Sequence, residues 1–199
     1  MDDENYGYQF VGGNLALDFV NTVAYRFHPE KMRDHLQSAE DVRRWANQAH
    51  LPDCVAINLC SRMSRRTLLR VRDIREQLFV IFRAIGSDEP VSVNALPRVG
   101  KALHDCRAKQ RLSAQGTQVL WTWRPGAGWS DFLLYPILTA ATDLLTSVSR
   151  GKIRQCADQG CGWLFLDRSN AGKRRWCSMA DCGNRNKVRE HYRREAGSG

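Results

Sequence analysis

The chain has 199 residues, an apolar share of 43% and a formal net charge of +9, enough for one domain or two small ones with a proper core. No apolar run approaches the ~20 residues of a membrane span, and the acidic start MDDENYGYQF lacks the regions of a signal peptide. The chain therefore reads as cytoplasmic, without a membrane partner, in a compartment where closely spaced cysteines point to metal or redox chemistry rather than disulfides.

In chain order, QFVGGNLALDFVNTV has a Gly-Gly turn and then Leu15, Phe19 and Val23 at helical spacing, with Asn14 as a cap. SAEDVRRWANQAHL opens with Ser38 and Asp41 at the spacing of a capping box, and Pro52 marks a further helix start. RTLLRVRDIREQLFVIFRAIG is the clearest helix. Its apolar face is Leu68, Val71, Ile74, Leu78, Ile81, Phe82 and Ile85, its arginines (65, 66, 70, 72, 75 and 83) form a solvated face, and Gly86 stops it. SVNALPRVGKALHDCRAKQR is another helix, capped by Ser92 or Asn94. RLSAQGTQVLWTWRPGAGW carries β-formers on both sides of Gln115-Gly116 and predicts a hairpin with Trp121 and Trp123 on one face. SDFLLYPILTAATDLLTSVSR returns to helix from a Ser130 cap, with Pro136 inside it, and Gly151-Lys152 reads as a hinge. The body, 1–150, is thus mainly helical with one hairpin. Cys54, Cys60 and Cys106 read as buried inert thiols. No nucleophile motif, P-loop, GxGxxG or His-x-x-x-His pair is present, so the chain reads as no enzyme.

Cys156, Cys161, Cys177 and Cys182 follow the pattern C-x4-C-x15-C-x4-C. Two short chelating pairs joined by a longer span suit one tetrahedral zinc ion, and a site closed by four protein ligands is structural. WLFLD (163–167) is strand-like, RSNAGK a turn, and KRRW leads back to Cys177, which predicts a hairpin with Trp163 and Trp176 paired across it. A redox dithiol usually shows C-x-x-C, absent here, and an iron–sulfur cluster also uses four cysteines, although the flanking Arg and Trp argue for zinc.

The charge is unevenly spread. Residues 1–149 hold 18 Lys/Arg against 16 Asp/Glu, whereas residues 150–199 hold 12 against 5, the pattern of a polyanion-binding end on a near-neutral body. From Asn184 onward NRNKVREHYRREA is a helix with Arg185, Arg189 and Arg193 in one stripe, Lys187 and Arg194 widening it, and Val188 and Tyr192 available to pack on the hairpin. Arginine forks suit phosphate and guanine edges, and such a helix fits a major groove. Arg168, Lys173, Arg174 and Arg175 are placed for backbone phosphates. Asn184 and Asn186 read adenine or cap the helix.

Cys182-Gly183-Asn184-Arg185 resembles the tetrad that names the CGNR zinc fingers, and the similarity extends over 153–194 through the four cysteines, the Trp-x-Phe strand, NAGKRRWCS and the basic helix. GGNLALDFVNT, Gly12 to Thr22, resembles the start of the ABATE domain that typically precedes that finger. The resemblance implies zinc ligation by the four cysteines, DNA binding by the finger, and a family of mostly bacterial, stress-linked transcription regulators. Asp18, Asn21 and Thr22 either line a small-molecule pocket that switches the finger or are buried groups tying a helix end to a turn. The expected architecture is mainly α: a helical body with a β-hairpin, then a treble-clef-like finger over 151–196. The expected function is a DNA-binding transcription regulator with one structural Zn2+ per chain, binding duplex DNA, with a small-molecule effector or a homodimer served by the body. The alternatives are an RNA-binding protein, or a small-molecule-binding protein or enzyme with the finger as a structural appendage.

Overall fold

The structure, a computed structural model, describes residues 8–51 and 63–196. The expected helix start at Pro52 and the thiols of Cys54 and Cys60 lie outside the described residues. Helix α1 (Leu15–Val20) begins where Asn14, in extended backbone, accepts a hydrogen bond from the Ala16 N–H at 2.8 Å. It is shorter than the Leu15–Phe19–Val23 spacing predicts. The Thr22 hydroxyl bonds back to the Phe19 carbonyl at 2.7 Å, the Asn21 side chain is engaged elsewhere, and Val23 starts a strand. That strand, β1 (Val23–Ala24), pairs antiparallel with β2 (Arg33–Asp34). Helix α2 (Ala39–Gln48) carries the reciprocal box expected from its sequence, with Ser38 Oγ accepting from the Asp41 N–H and Asp41 accepting from the Ser38 N–H.

Helix α3 (Arg65–Gly86) runs through the centre and buries Val71, Ile74, Leu78, Phe79, Ile81 and Phe82. One residue of its supposed solvated face departs from expectation. Arg75 is 2% exposed. Its guanidinium grips both Asp34 oxygens at 2.7 and 2.8 Å and donates to the Thr22 hydroxyl at 3.1 Å, while Arg72 meets Asp34 from the side at 2.6 Å. A buried cation persists only when such a partner neutralises it. Burial of Asp34 works the other way, but the bonds and charge of Arg75 outweigh it and hold the carboxyl below its ordinary range.

Helix α4 (Ala95–Arg107) is capped by Ser92, whose hydroxyl accepts from the Ala95 N–H, while the Asn94 side chain makes no capping bond. Strands β3 (Gln110–Gln115) and β4 (Gln118–Trp123) form the expected hairpin about Gly116, whose φ of 61° lies in the left-handed region that glycine tolerates. Trp123 packs on Phe132 and Tyr135, and Arg107 lies 3.7 Å over the half-exposed Trp121 ring. Helix α5 (Trp129–Thr146) continues through Pro136. It is opened by Gly128, with Asp131 accepting from the Gly128 N–H at 2.8 Å, and not by Ser130. Cys106 is buried beside Asp131, and burial first, then that carboxylate, pushes its thiol up to about 11. In place of a hinge, a 3-10 turn (Val148–Lys152) leads directly into β5 (Ile153–Gln155).

Strand β5 pairs antiparallel with β6 (Leu164–Leu166), and the chain ends in α6 (Asn184–Ala196) after a π-turn at Met179–Gly183. Ile153, Leu164 and Leu166 belong to the same apolar core as α1, α3 and α5. The architecture is mainly α, with three two-stranded antiparallel pairs among the described residues and a C-terminal cluster of four cysteines. Among the described residues no helix is long and apolar enough to cross a membrane.

Candidate metal centre and its basic helix

Cys156 and Cys161 sit in the turn between β5 and β6, Cys177 precedes the π-turn that starts α6, and Cys182 lies within that turn. All four are buried, and their sulfurs lie within 4.8 Å of one another. The Sγ atoms of Cys161 and Cys177 are 3.7 Å apart, and those of Cys177 and Cys182 are 3.5 Å apart. Four sulfurs at ~2.3 Å from one zinc ion define a tetrahedron with edges of about 3.8 Å, so the donor set fits a single ion. The surroundings favour thiolate at two of the four sulfurs. The Cys177 N–H points at Cys156 Sγ at 3.5 Å and Arg185 Nη2 lies 2.9 Å from Cys182 Sγ, and hydrogen bonds from the other three thiols drive Cys156 toward deprotonation while neighbouring sulfurs hold the protons on Cys161 and Cys177. These cysteines can hold one zinc ion, which would bind as a structural cross-link, since four protein ligands leave no open position.

The hairpin that carries the centre differs from the expected one. WLFLD does not return against KRRW. One edge of β6 is taken by β5, and the other by the body, where the Leu166 N–H donates to the Gly12 carbonyl at 2.9 Å and both polar groups of Leu164 are held by Asn21. No edge is left for residues 173–176. That stretch returns as a loop instead, organised by Asp167, which accepts from the Ser169 and Arg174 N–H groups, and fastened to the first knuckle by an Ala157 N–H to Arg175 carbonyl bond of 2.9 Å. Trp163 and Trp176 flank the thiols rather than pairing across strands, and Trp163 Nε1 donates to the Val23 carbonyl at 2.9 Å.

The three residues of the N-terminal motif all make structural bonds. Asp18 accepts from the Gly12 N–H at 2.7 Å, and any Cβ at Gly12 would lie 2.8 Å from that of Leu17, which explains the glycine. Burial pushes the Asp18 carboxyl up to about 6, against the lowering effect of the Gly12 bond. The Asn21 amide donates to the Leu164 carbonyl at 2.8 Å and accepts from the Leu164 N–H at 2.9 Å, a two-way grip across 143 residues of sequence. Thr22 joins Phe19 to Arg75. The same three side chains also line a cavity of about 480 Å³ between body and finger, whose far wall includes Cys161, Cys177, Cys182 and Arg185.

The basic residues divide into two groups. Arg168 donates to the Gly13 carbonyl at 2.7 Å, and Arg174 donates to the Val11, Trp176 and Cys177 carbonyls while lying 4.2 Å over the Phe165 ring. Arg185 meets Cys182, the Tyr25 hydroxyl at 2.7 Å and Asp158 at 3.3 Å. Burial would lower its pKa, but Cys182, Tyr25 and Asp158 together raise it. These three arginines hold the finger together and against the body. Lys173, Lys187 and Arg193 point outward, Arg175 lies over Trp176, and Arg189 shares Asp158 with Arg185. Asn186 donates to Asp158 and to the Cys182 carbonyl, and Asn184 donates to the Ala180 carbonyl. Val188 and Tyr192, expected to pack on the hairpin, are 54% and 68% exposed, because α6 leaves the finger beyond its second turn and buries no side chain.

Two residues central to this arrangement were not singled out from sequence. Asp158 is 2% exposed and anchors the root of α6 through Arg185, Asn186 and Arg189. Its signal was available: it is the sole acid between the first two ligands, in a last quarter of the chain with a net positive charge. Tyr25 occupies the left-handed region at φ 52°, a strained setting for a bulky side chain, and no local pattern marks it.

Set beside known families, the C-terminal part is a CGNR zinc finger, matched over residues 152–195. A second family model, ABATE, described as "Putative stress-induced transcription regulator", matches residues 13–148, and the chain belongs to that family. No curated protein matches the chain.

Proposed function

We propose that the chain is a DNA-binding transcription regulator, in which the zinc-organised finger presents α6 to duplex DNA and the body serves as a ligand-sensing or dimerisation unit. The observation that carries this reading is the construction of α6. Its root is fixed to the thiol cluster and Asp158, while Lys187 on its first turn and Arg193 on its outer turns are exposed. A rigid base with a free basic helix is what insertion into a major groove requires. Lys173, Arg175, Lys187, Arg189 and Arg193 are the contacts, and Arg168, Arg174 and Arg185 keep the scaffold in register. One finger offers few base contacts, so a homodimer or the body supplements it. The 480 Å³ cavity, bounded by Asp18, Asn21 and Thr22 on one side and by metal ligands on the other, is where a small-molecule effector would act on the finger. The role is regulatory and non-catalytic.

The test is selection of bound duplexes from a random library with the full chain and with the double variant Lys187→Gln/Arg193→Gln. A recurring motif whose enrichment collapses in the variant supports the reading, and wild-type protein that enriches nothing removes it. The exposure of Tyr192, with the His191 ring 6.1 Å away, favours one rival, RNA binding by stacking on unpaired bases. Competition between duplex DNA and single-stranded RNA for the same protein separates the two.

A further inference from the structure

A second cleft, of about 510 Å³, lies where residues 25–31 of the body face the first knuckle and α6. Its lining includes Lys31, Arg175, Arg189 and Arg193, with Asp158 and Glu190 as its carboxylates. Asp158 is buried and already engaged by Arg185, Asn186 and Arg189, which leaves Glu190 as the remaining counter-charge. Among the described residues Lys31, Arg175 and Arg193 have no carboxylate within ion-pair distance. His28 completes the body's side of the cleft, its ring packed near Gly160 and its Nδ1 enclosed without a hydrogen-bond partner. Cations gathered on concave walls without their own acids raise the local potential and concentrate anions.

We infer that this cleft is a phosphate subsite shared by body and finger, and that Lys31 carries the polyanion-binding surface beyond the finger onto the body. The inference rests on the nucleic-acid reading for its source of phosphate, a phosphodiester backbone, although the chemistry of the subsite is that of any phosphate of this size. Arg175 and Arg193 approach from the loop before Cys177 and from α6, and Lys31 from the β1–β2 connection. A phosphate held there is contacted from three separate segments, which fixes the angle between α6 and the strand that follows the bound backbone. Because Lys31 is exposed and makes no side-chain bond among the described residues, its removal leaves the fold as it is.

The experiment compares the zinc-loaded full chain with Lys31→Gln, and with Arg66→Gln as an exposed cation far from the cleft, in titrations of duplex DNA from about 50 to about 200 mM KCl. Loss of one phosphate contact lowers the slope of log affinity against log salt by about 0.9 in Lys31→Gln and leaves Arg66→Gln at the wild-type value. A wild-type slope in Lys31→Gln, or an equal fall in both variants, overturns the subsite while the DNA reading stands. If wild-type protein binds no duplex, that reading falls and pyrophosphate decides the subsite alone. Thermal stabilisation by pyrophosphate that disappears in Lys31→Gln keeps the cleft as a site for free phosphate, and no stabilisation of the wild type overturns it.

Discussion

The body is held together by hydrocarbon and the finger by sulfur. In the body Phe19, Trp45, Leu78, Phe82 and Ile137 are enclosed by one another and by neighbouring helices, so burial of apolar surface stabilises it as in any globular domain. Among the described residues the apolar company around the thiols is Phe165, with Val11, Trp163 and Trp176 partly buried, and a cluster of that size does not hold a fold. Beyond the apolar contacts of Ile153, Leu164 and Leu166, the two regions share directional bonds: the Asn21 amide on Leu164, the Val23 carbonyl on Trp163, and the Tyr25 hydroxyl on Arg185. The contrast shows that a module with a small apolar cluster of its own can be placed by lending a few residues to a neighbour's core and adding directional bonds to that neighbour.

The largest effect is expected at the metal. Structural zinc sites contribute about 10 kcal/mol or more of apparent binding free energy to their folds, so Cys177→Ser, or a chelator, should unfold the finger and change the emission of Trp163 and Trp176. The body should stay helical by circular dichroism but melt at a lower temperature, having lost Ile153, Leu164 and Leu166 from its core. Identical melting with and without chelator would break the contrast between the two regions. Next in size is Asn21→Ala, which strands a buried N–H and carbonyl on Leu164. At ~1–3 kcal/mol per unsatisfied group, a loss of about 2–6 kcal/mol is expected by denaturant titration, and a change below about 0.5 kcal/mol would show that these bonds contribute little.

The smallest effect has the opposite sign. Asp18 is buried with its carboxyl raised to about 6, so the folded chain keeps a proton that the unfolded chain releases near its ordinary value of 3.8. The stability associated with that proton is complete at lower pH and is lost as pH rises through the folded value of about 6. Asp18→Asn preserves the acceptor for the Gly12 N–H and removes the buried charge. It should raise stability by about 1–2 kcal/mol near neutral pH and have no effect in acid. Melting curves for both proteins at several pH values check this, and a gap that does not narrow toward acid would contradict it.

Much of the local structure was legible because it is locally determined. The Ser38–Asp41 box, the Gln115-Gly116 turn, the apolar face of α3 and the paired cysteine spacing each lie within one turn or one short repeat of sequence. What escaped depends on partners far along the chain. Arg75 looked solvated because its carboxylate, Asp34, is 41 residues away. The strand at 164–166 was given the wrong neighbour because the decisive competitor for its second edge, Asn21, lies 143 residues upstream. At the candidate site, spacing identified the four cysteines but could not distinguish arginines that clamp carbonyls, such as Arg168 and Arg174, from those facing outward. Composition is the same for both, and only the direction of the side chain separates them.

The close approach at Gly162 has a consequence for anyone cutting the chain. A Cβ there would lie 2.8 Å from that of Arg26, and the residue adopts a φ of 75°. The first knuckle is therefore moulded against the backbone of the body, with the Arg26 N–H on the Cys161 carbonyl at 3.3 Å. A finger excised at residue 152 leaves behind the surface it was shaped to fit, together with the groups that satisfy Leu164, Trp163 and Arg174. A chimera that grafts this finger onto another scaffold therefore has to carry residues 11–26 with it, since these supply the contacts to Leu164, Trp163, Arg174 and Arg185.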